Sequence, residues 1–281
     1  MNYNKAHKQL KGLKLSNSVA TRLFSSLICL FFIVPLAIAE TDLEKGFEIA
    51  ARSDRSDLGF ADSTVKLKMV LYNAAGEKNQ RTLSLRTLEK ENEQVGDKSL
   101  IIFDSPADIN GTALLSHAKI LDADNQWLFL PALKRTKRIS SVNKSGPFVG
   151  SEFAFEDFTS QELNKFSYRY LRSEACGDLM CDVVERTPRY EHSGYTRQVS
   201  WVDQKVYQVR RVEFYDRRGA KLKILTLDDY RLYNNKYWRA QKMTMNNLVT
   251  KKRTVLDYFD YQFTNGFKKR DFQKTVLKRI R

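Results

Sequence analysis

Few side chains in this 281-residue sequence have the types and spacing that catalysis requires. It contains three histidines, His7, His117 and His192, and the first lies in a basic leader. Neither of the other two has a nearby serine, cysteine or carboxylate in the pattern of a nucleophile and its base. The sequence has no glycine-rich phosphate loop and no metal-ligand spacing. It therefore predicts neither a hydrolase nor a resident metal or cofactor.

The acids Glu152, Glu156 and Asp157 are close enough in sequence to act as paired carboxylates in acid–base catalysis. A short helix with acids in its first turn explains the same cluster, because the positive end of the helix dipole favours carboxylates. This second explanation is the commoner one. The sequence therefore indicates a protein that is not an enzyme.

Cys176 and Cys181 flank the turn-prone pair Gly177-Asp178 between two runs typical of strands. In an oxidising compartment such a pair is expected to form a disulfide across a hairpin. A loop this small contributes only about 2 kcal/mol in the chain-entropy model, so its role is to fix a turn. A zinc pair or a redox motif is the alternative, but no second Cys or His pair lies nearby and the spacing is not C-x-x-C.

The most basic short segment runs from Lys134 through Arg135, Thr136 and Lys137 to Arg138. Alternation along a strand would place Lys134, Thr136 and Arg138 on one side. Such a segment is suited to an anionic membrane surface or an acidic docking partner. A solvated strand that protects a sheet edge is the plain alternative. Nucleic-acid binding is the other class to consider, and export of the protein argues against it.

The N-terminal segment, residues 1–39, has the pattern of a signal peptide. Five basic and no acidic residues precede an apolar stretch from Leu23 to Ala39, which ends in small residues before Glu40. We expect cleavage after Ala39 and a periplasmic protein, with an uncleaved anchor as the alternative. The remaining residues, 40–281, are enough for one domain. They carry 43 Lys and Arg against 33 Asp and Glu, and this net charge of +10 favours anionic partners.

Hydrophobic periodicity predicts one helix followed by many strands. Thr41 and Glu44 form a capping box, and the helical pattern stops by Ser53. From Val65 onward the period is two, and turn residues separate the runs. The alternating runs are residues 65–71, 81–88, 100–103, 112–116, 127–130, 136–140, 163–171, 180–186, 196–202, 207–215, 222–230, 238–246 and 254–261. Ten or more short strands with tight turns predict an antiparallel meander that curls or closes to protect its edges.

Two segments interrupt this meander. Residues 141–159 contain a turn-rich stretch and then aromatic residues among acids, which predicts a mobile loop leading into a short amphipathic helix. The last eleven residues, 271–281, carry apolar residues at helical spacing with a basic opposite face. We expect the first segment to act as a gate and the second to cap the sheet or touch a membrane.

Three ordered sequence blocks resemble the outer-membrane lipoprotein-sorting family. The blocks are Ser105-Pro106 with Gly111-Thr112-Ala113-Leu114-Leu115-Ser116, Trp127-Leu128-Phe129-Leu130-Pro131-Ala132-Leu133-Lys134-Arg135, and Gly150-Ser151-Glu152-Phe153-Ala154-Phe155-Glu156-Asp157. Members of the family are similar in fold to the LolA-type periplasmic carriers. The resemblance covers essentially the whole mature chain, including the opening helix and the closing basic segment.

This resemblance implies a mainly β fold, a half-open antiparallel β-barrel of about ten to twelve strands with an N-terminal helix and short lid and C-terminal helices. It implies a monomeric carrier of lipid or lipoprotein acyl chains. The donor would be an inner-membrane transporter of the RND/MMPL or ABC type, and the recipient an outer-membrane acceptor. The candidates for the cavity wall or lid are Leu114, Trp127, Phe129, Phe148, Phe153 and Phe155. Ordinary core packing explains each of these residues equally well, and a basic envelope-associated binding module without a deep lipid cavity is the alternative function.

Overall fold

The computed structural model describes residues 40–90, 95–160 and 162–280, so the predicted signal peptide lies outside the described residues. Within these ranges the chain has one α-helix, thirteen β-strands and several short 3-10 turns. No helix in the same ranges is long and apolar enough to cross a membrane. The architecture is therefore determined mainly by the strands.

Helix α1 comprises Asp42–Asp57. It begins as the sequence predicts, because Thr41 Oγ1 accepts the Glu44 N–H at 3.2 Å and the Glu44 carboxylate accepts the Thr41 N–H at 3.0 Å. The predicted end at Ser53 is wrong by about one turn. The additional turn is held by an ion pair between Asp57 and a distant strand residue, Arg239, which local periodicity does not reveal.

The thirteen strands form one antiparallel sheet, since every alternating run in the sequence becomes a strand. They are β1 Asp62–Tyr72, β2 Lys78–Leu88, β3 Lys98–Ser105, β4 Ala113–His117, β5 Asn125–Leu130, β6 Arg135–Ile139, β7 Phe166–Cys176, β8 Leu179–Pro188, β9 Tyr195–Asp203, β10 Val209–Asp216, β11 Lys221–Tyr233, β12 Tyr237–Asn247 and β13 Arg253–Phe263. Their order across the sheet is β6-β5-β4-β3-β2-β1-β13-β12-β11-β10-β9-β8-β7. The thirteen strands slightly exceed the expected ten to twelve.

The sheet consists of two meanders, β1 to β6 and β7 to β13, which are joined because β1 pairs with both β2 and β13. The two ends of the sheet, β6 and β7, do not pair with each other within the described residues. The sheet is therefore open along this one seam, which agrees with the half-open barrel implied by the family resemblance.

The chain that connects β6 to β7 lies against one face of the sheet, and we call residues 140–160 and 162–165 the inner segment. Its Phe148 is completely buried, with its ring centroid 5.6 Å from that of Phe103 on β3. The Asp157 carboxylate of the same segment accepts a hydrogen bond from Tyr195 on β9 at 2.8 Å. Because strands from both meanders contact one short segment, the sheet must curl around it.

The local structure of the inner segment differs from the expectation. Instead of a loop and an amphipathic helix, it has four 3-10 turns, Ser141–Asn143, Phe148–Gly150, Phe155–Phe158 and Leu163–Lys165. Its aromatic side chains point into the core, so its acids do not lie on the solvent face of a helix. Tertiary contacts override the local helical pattern here.

The outer face of the sheet at β3, β4 and β5 is covered by the C-terminal segment, residues 267–280. Phe272 and Leu277 are fully buried against Leu115 and Phe129, and His117 Nε2 hydrogen-bonds the Phe272 carbonyl at 2.7 Å. The segment forms two 3-10 turns, Lys269–Phe272 and Lys274–Arg279, rather than one helix. It caps the sheet as the apolar spacing suggested.

The predicted disulfide is confirmed. Cys176 and Cys181 are bonded, with their Cα atoms 5.9 Å apart, at the end of the hairpin formed by β7 and β8. Gly177 in the connecting turn has φ of 66°, a conformation that glycine adopts without strain. The disulfide thus fixes a turn of the edge hairpin.

Helix α1 lies on β7 at unusually close range. A Cβ atom at Gly46 would be 2.6 Å from the Tyr170 backbone nitrogen and 2.7 Å from the Arg169 carbonyl carbon. Lys45 Nζ lies 3.5 Å from the centroid of the Tyr170 ring. Glycine at this position therefore lets the helix approach the edge strand.

Gly46→Ala is expected to destabilise the protein, although in an open helix interior the same change usually stabilises it by about 0.5–1 kcal/mol. The new methyl group would meet backbone atoms, which cannot move aside as a flexible side chain can. Urea denaturation of the purified variant measures the effect. Leu43→Ala, at a position 62% exposed on the same helix, is the control and should change stability by about 0.5 kcal/mol or less. A more stable Gly46→Ala variant would contradict the close packing.

Candidate functional site

The main candidate site is a cavity of about 570 Å³ enclosed by α1, the inner segment and the inner face of the sheet. Its volume lies within the roughly 300–1,000 Å³ that is typical of small-molecule sites. Much of the wall is apolar, and it includes Leu85, Ile101, Val212, Leu225, Leu227 and Met243. The cavity has the size and lining expected of a site for an apolar or amphipathic ligand.

One wall of the cavity is fixed by a buried ion pair. Lys223 Nζ on β11 lies 2.7 Å from Asp157 Oδ2 in the inner segment, and both side chains are more than nine-tenths buried. The same ammonium group donates to the Glu152 carbonyl at 3.1 Å. Tyr195 and the Ala154 N–H also donate to the Asp157 carboxylate. These contacts hold the inner segment on the sheet as a fixed wall.

A second buried carboxylate, Glu156, attaches the inner segment to the turn before β9. It accepts hydrogen bonds from the Gly194 N–H at 2.8 Å, the Ser193 hydroxyl at 3.0 Å and the Tyr190 hydroxyl at 3.2 Å. Burial, and then the neighbouring Asp157 charge, raise the pKa of Glu156, and the three donors oppose this shift. Both acids are engaged by protein groups, so the arrangement supports a structural role rather than acid–base catalysis.

A polar cluster occupies another part of the cavity wall. Asp97 Oδ1 accepts the Lys90 N–H at 2.8 Å, and Lys90 Nζ forms an ion pair with Glu162 at 3.2 Å. Glu89 accepts backbone N–H groups of the chain that follows α1. Burial, together with the charges of Glu162 and Glu89, raises the pKa of Asp97 to about 7, although the Lys90 contacts oppose the shift. This carboxyl group therefore titrates near neutral pH.

Aromatic residues of β13 form a third part of the wall. The rings of Tyr258 and Tyr261 stack at 6.2 Å, and that of Phe263 continues the row at 6.1 Å. Arg239 lies over Phe263 at 5.6 Å and pairs with Asp57 of α1, which remains 51% exposed. Burial raises the pKa of Tyr258 and Tyr261, so both hydroxyls stay neutral. Of this row, Tyr258 and Tyr261 line the cavity and give it an amphipathic surface.

The six predicted cavity or lid residues fall into two groups in the structure. Leu114, Phe148, Phe153 and Phe155 belong to the core on the inner face, and of these Phe153 lines the cavity. Trp127 and Phe129 lie on the opposite face, under the C-terminal segment. Adjacent residues of a strand point to opposite faces of the sheet, and residues paired across two strands point to the same face. Leu114 pairs with Leu128 whereas Trp127 pairs with Leu115, so Leu114 and Trp127 lie on opposite faces.

The predicted basic segment lies at the open seam. Arg135, Lys137 and Arg138 are exposed on edge strand β6, and Arg138 donates to the Asn125 side chain at 2.7 Å. Lys134 is also exposed, but its φ of 49° places it in the turn before β6. It therefore does not continue the predicted alternation with Thr136 and Arg138. The segment is a basic surface distinct from the cavity.

No group of three or more His, Cys, Asp or Glu side chains suited to a metal ion occurs in residues 40–90, 95–160 and 162–280. His117 contacts the C-terminal segment, and burial lowers its pKa. His192 lies at the surface, 3.8 Å from Glu191. In the described part of the chain, neither histidine ring hydrogen-bonds a serine, threonine or cysteine side chain.

Sequence reasoning did not identify the cavity residues Arg186, Gln198 and Ser200. They lie on the inner faces of β8 and β9, where Arg186 pairs with Gln198 and Val184 pairs with Ser200. The available signal was a cation two positions from the buried Val184 on one face of β8. In an amphipathic strand such a residue is hard to distinguish from an ordinary solvent-facing arginine.

Comparison with known proteins identifies the family. The chain is 49% identical to the outer membrane lipoprotein-sorting protein domain from Vibrio parahaemolyticus, with a TM-score of 0.81 over 84% of this chain and 99% of that one. A family model described as "-like: Uncharacterized protein" matches residues 96–279. The chain belongs to the outer-membrane lipoprotein-sorting protein family.

Two further solved structures resemble this family member. A DUF1329 family protein from Desulfovibrio piger is 25% identical, with a TM-score of 0.80 over 84% of this chain and 99% of that one. A LolA superfamily protein from Nitrosomonas europaea is 21% identical, with a TM-score of 0.66 over 82% of this chain and 97% of that one. No curated protein matches the sequence. The half-open β fold is thus LolA-like.

Lys223→Met should destabilise the family member by about 3–5 kcal/mol, because it leaves the Asp157 carboxylate buried without its cation. Adding Asp157→Asn should restore a large part of the loss. Denaturant unfolding of the single and double variants measures this coupling. Arg172→Met breaks the exposed pair with Glu174 and serves as the control, with an expected change of at most about 1 kcal/mol. A Lys223→Met variant as stable as the control would refute the anchoring role.

Asp97→Asn should stabilise the protein more at pH 8 than at pH 5. The folded-state pKa of about 7 exceeds the ordinary value of 3.8, so folded protein holds this proton more tightly than unfolded protein does. The contribution of Asp97 to the free energy of unfolding therefore falls as pH rises between about 4 and 7. Asparagine keeps the acceptor for the Lys90 N–H and has no charge to bury. Denaturant unfolding at both pH values tests this, and an unchanged pH dependence in the variant would contradict it.

Proposed function

We propose that this family member is a non-enzymatic carrier that binds the acyl chains of a lipid or lipoprotein in its interior cavity. The observation that carries the proposal is the cavity of about 570 Å³, with its Leu225, Leu227 and Met243 wall, in a protein of this family. A binding module without a deep cavity is less well supported, because such a module has no need of a curled sheet with this interior.

The energy of hydration explains why such a carrier needs an enclosed apolar wall. Exposing a methylene group to water costs about 0.8 kcal/mol of free energy. Exposing a chain of ~16 carbons therefore costs on the order of 13 kcal/mol. A diffusing carrier must offset most of this cost at each step of transfer. Contacts with apolar side chains such as Val212 and Leu225 can do so without forming a covalent bond.

We assign the movable cover of the cavity to α1 rather than to residues 141–159. The α1 residues that line the cavity include Ala50, Ser53 and Asp57, which are small or polar. The inner segment is attached to the sheet through the fully buried Lys223 ion pair. Moving α1 would expose Ile49 and break the half-exposed pair of Asp57 with Arg239, but it would break no fully buried ion pair.

We place this carrier in the periplasm after cleavage of its leader. An inner-membrane transporter of the RND/MMPL or ABC type would load it, and an outer-membrane acceptor would receive the cargo. Lys134, Arg135, Lys137 and Arg138 would meet an anionic membrane surface or an acidic partner at either step. The neighbouring Leu133 is 68% exposed and adds an apolar contact to this surface.

Ala50→Trp should abolish lipid binding, because the indole would project from α1 into the cavity. Native mass spectrometry of protein purified from periplasm should detect bound lipid in the wild type and none in the variant. Leu43→Trp introduces the same side chain on the exposed side of the same helix and should leave the bound lipid unchanged. Circular dichroism checks that both variants fold. A wild-type protein that carries no lipid even after mild extraction would overturn the carrier proposal.

A further inference from the structure

The inner faces of β8 and β9 present a polar patch within the apolar cavity, made of Arg186, Gln198 and Ser200. Arg186 Nε donates to Gln198 Oε1 at 2.7 Å, which leaves the Gln198 amide NH₂ group as a donor. The Arg186 guanidinium carbon lies 5.0 Å from the centroid of the Phe166 ring. The patch is thus held in place by its neighbours before any ligand binds.

The charge of Arg186 differs from that of the other cavity cations in having no close counterion. Lys90 forms an ion pair with Glu162, and Arg239 forms one with Asp57. Among the described residues, no carboxylate lies within ion-pair distance of the Arg186 guanidinium. The nearby Asp157 is already engaged by an ammonium group of β11.

The Arg186 side chain is only partly exposed, so its charge has lost part of its hydration in the lipid-free protein. Desolvation lowers the pKa of Arg186, yet an arginine side chain stays protonated under all ordinary conditions. A buried cation is costly unless an anion pairs with it. The cavity wall therefore contains a positive charge that no anionic group among the described residues neutralises at close range.

Ser200 gives a second, independent indication. The residue is 6% exposed and lines the cavity, and its hydroxyl has no hydrogen-bond partner within the described part of the chain. Buried hydroxyls are normally paired, because an unsatisfied one costs about as much as a lost hydrogen bond. The Arg186 N–H groups, the Gln198 amide and the Ser200 hydroxyl can all donate. A ligand group with several acceptor oxygens and a negative charge complements them.

We propose that the cavity selects amphiphiles with an acidic headgroup, a phosphate or a carboxylate, which pairs with Arg186 and accepts hydrogen bonds from Gln198 and Ser200. This inference rests on the carrier function proposed above and names the class of its cargo. The acyl chain then lies along the apolar wall that includes Leu225 and Met243. The headgroup is thereby held inside the protein rather than left at the cavity mouth.

Competition binding to delipidated protein, followed by native mass spectrometry, tests the proposal. Palmitate competes with hexadecanol, and dipalmitoyl phosphatidate with dipalmitoylglycerol, so each pair differs only in the acidic group. The wild type should prefer the acidic member of at least one pair by tenfold or more, which corresponds to about 1.4 kcal/mol. The pair with the greater preference distinguishes a carboxylate from a phosphate.

Arg186→Met should remove this preference, chiefly by weakening the binding of the acidic member of each pair. Arg186→Lys should keep part of it, because lysine supplies charge without the planar set of donors. Ser200→Ala should reduce it several-fold. Arg169→Met, an exposed arginine paired with Glu185, is the control and should behave as the wild type.

Two results would overturn the headgroup inference. These are a wild type that binds acidic and neutral members equally, and an Arg186→Met variant that keeps the full preference. Either would leave the carrier proposal standing, whereas failure to bind any of the four lipids would remove the carrier proposal itself. Lipid-free Arg186→Met should also unfold at a temperature no lower than the wild type, because an unpaired and partly desolvated cation is lost. A marked loss of stability would mean that Arg186 serves the fold instead.

Discussion

The buried contacts between the inner segment and the sheet are the interaction on which the rest of this structure depends. The edge strands β6 and β7 do not pair, so backbone hydrogen bonds alone do not hold the sheet in its curled form. The inner segment connects its two halves instead. Gln126 of β5 donates to the Phe155 carbonyl at 2.8 Å, and Lys223 of β11 pairs with Asp157. Loss of these contacts would free the sheet to open.

The cavity follows from how unequally the curled sheet is filled. On one side, the buried aromatic rings of Phe148 and Phe153 pack into the interior. On the other side, α1 covers the space with small and polar side chains such as Ala50 and Ser53. A tightly filled region beside a loosely filled one leaves space on the α1 side of the curled sheet. This arrangement suits the proposed carrier, which must take up a hydrocarbon chain and later release it.

The sequence predicted the sheet well and the interior poorly. Alternation located every strand because period two is a local property, and the capping box at Thr41 located the start of α1. Alternation also separates two faces, but it does not reveal which face is concave. Trp127 and Phe129 therefore entered the list of cavity candidates, although they lie under the C-terminal segment. The buried roles of Glu156 and Arg186 depend on strands far away in the chain, so no local pattern indicates them.

The most direct test of this account is to find where a bound hydrocarbon chain lies. A palmitate with a photoreactive diazirine at its chain end, bound to the delipidated protein and irradiated, leaves an adduct that peptide mass spectrometry can locate. Adducts are expected on inner-wall residues such as Leu225, Met243 and Tyr258. Adducts confined to the outer face, around Trp127 and Phe129, would contradict the claim that the curled sheet encloses its cargo.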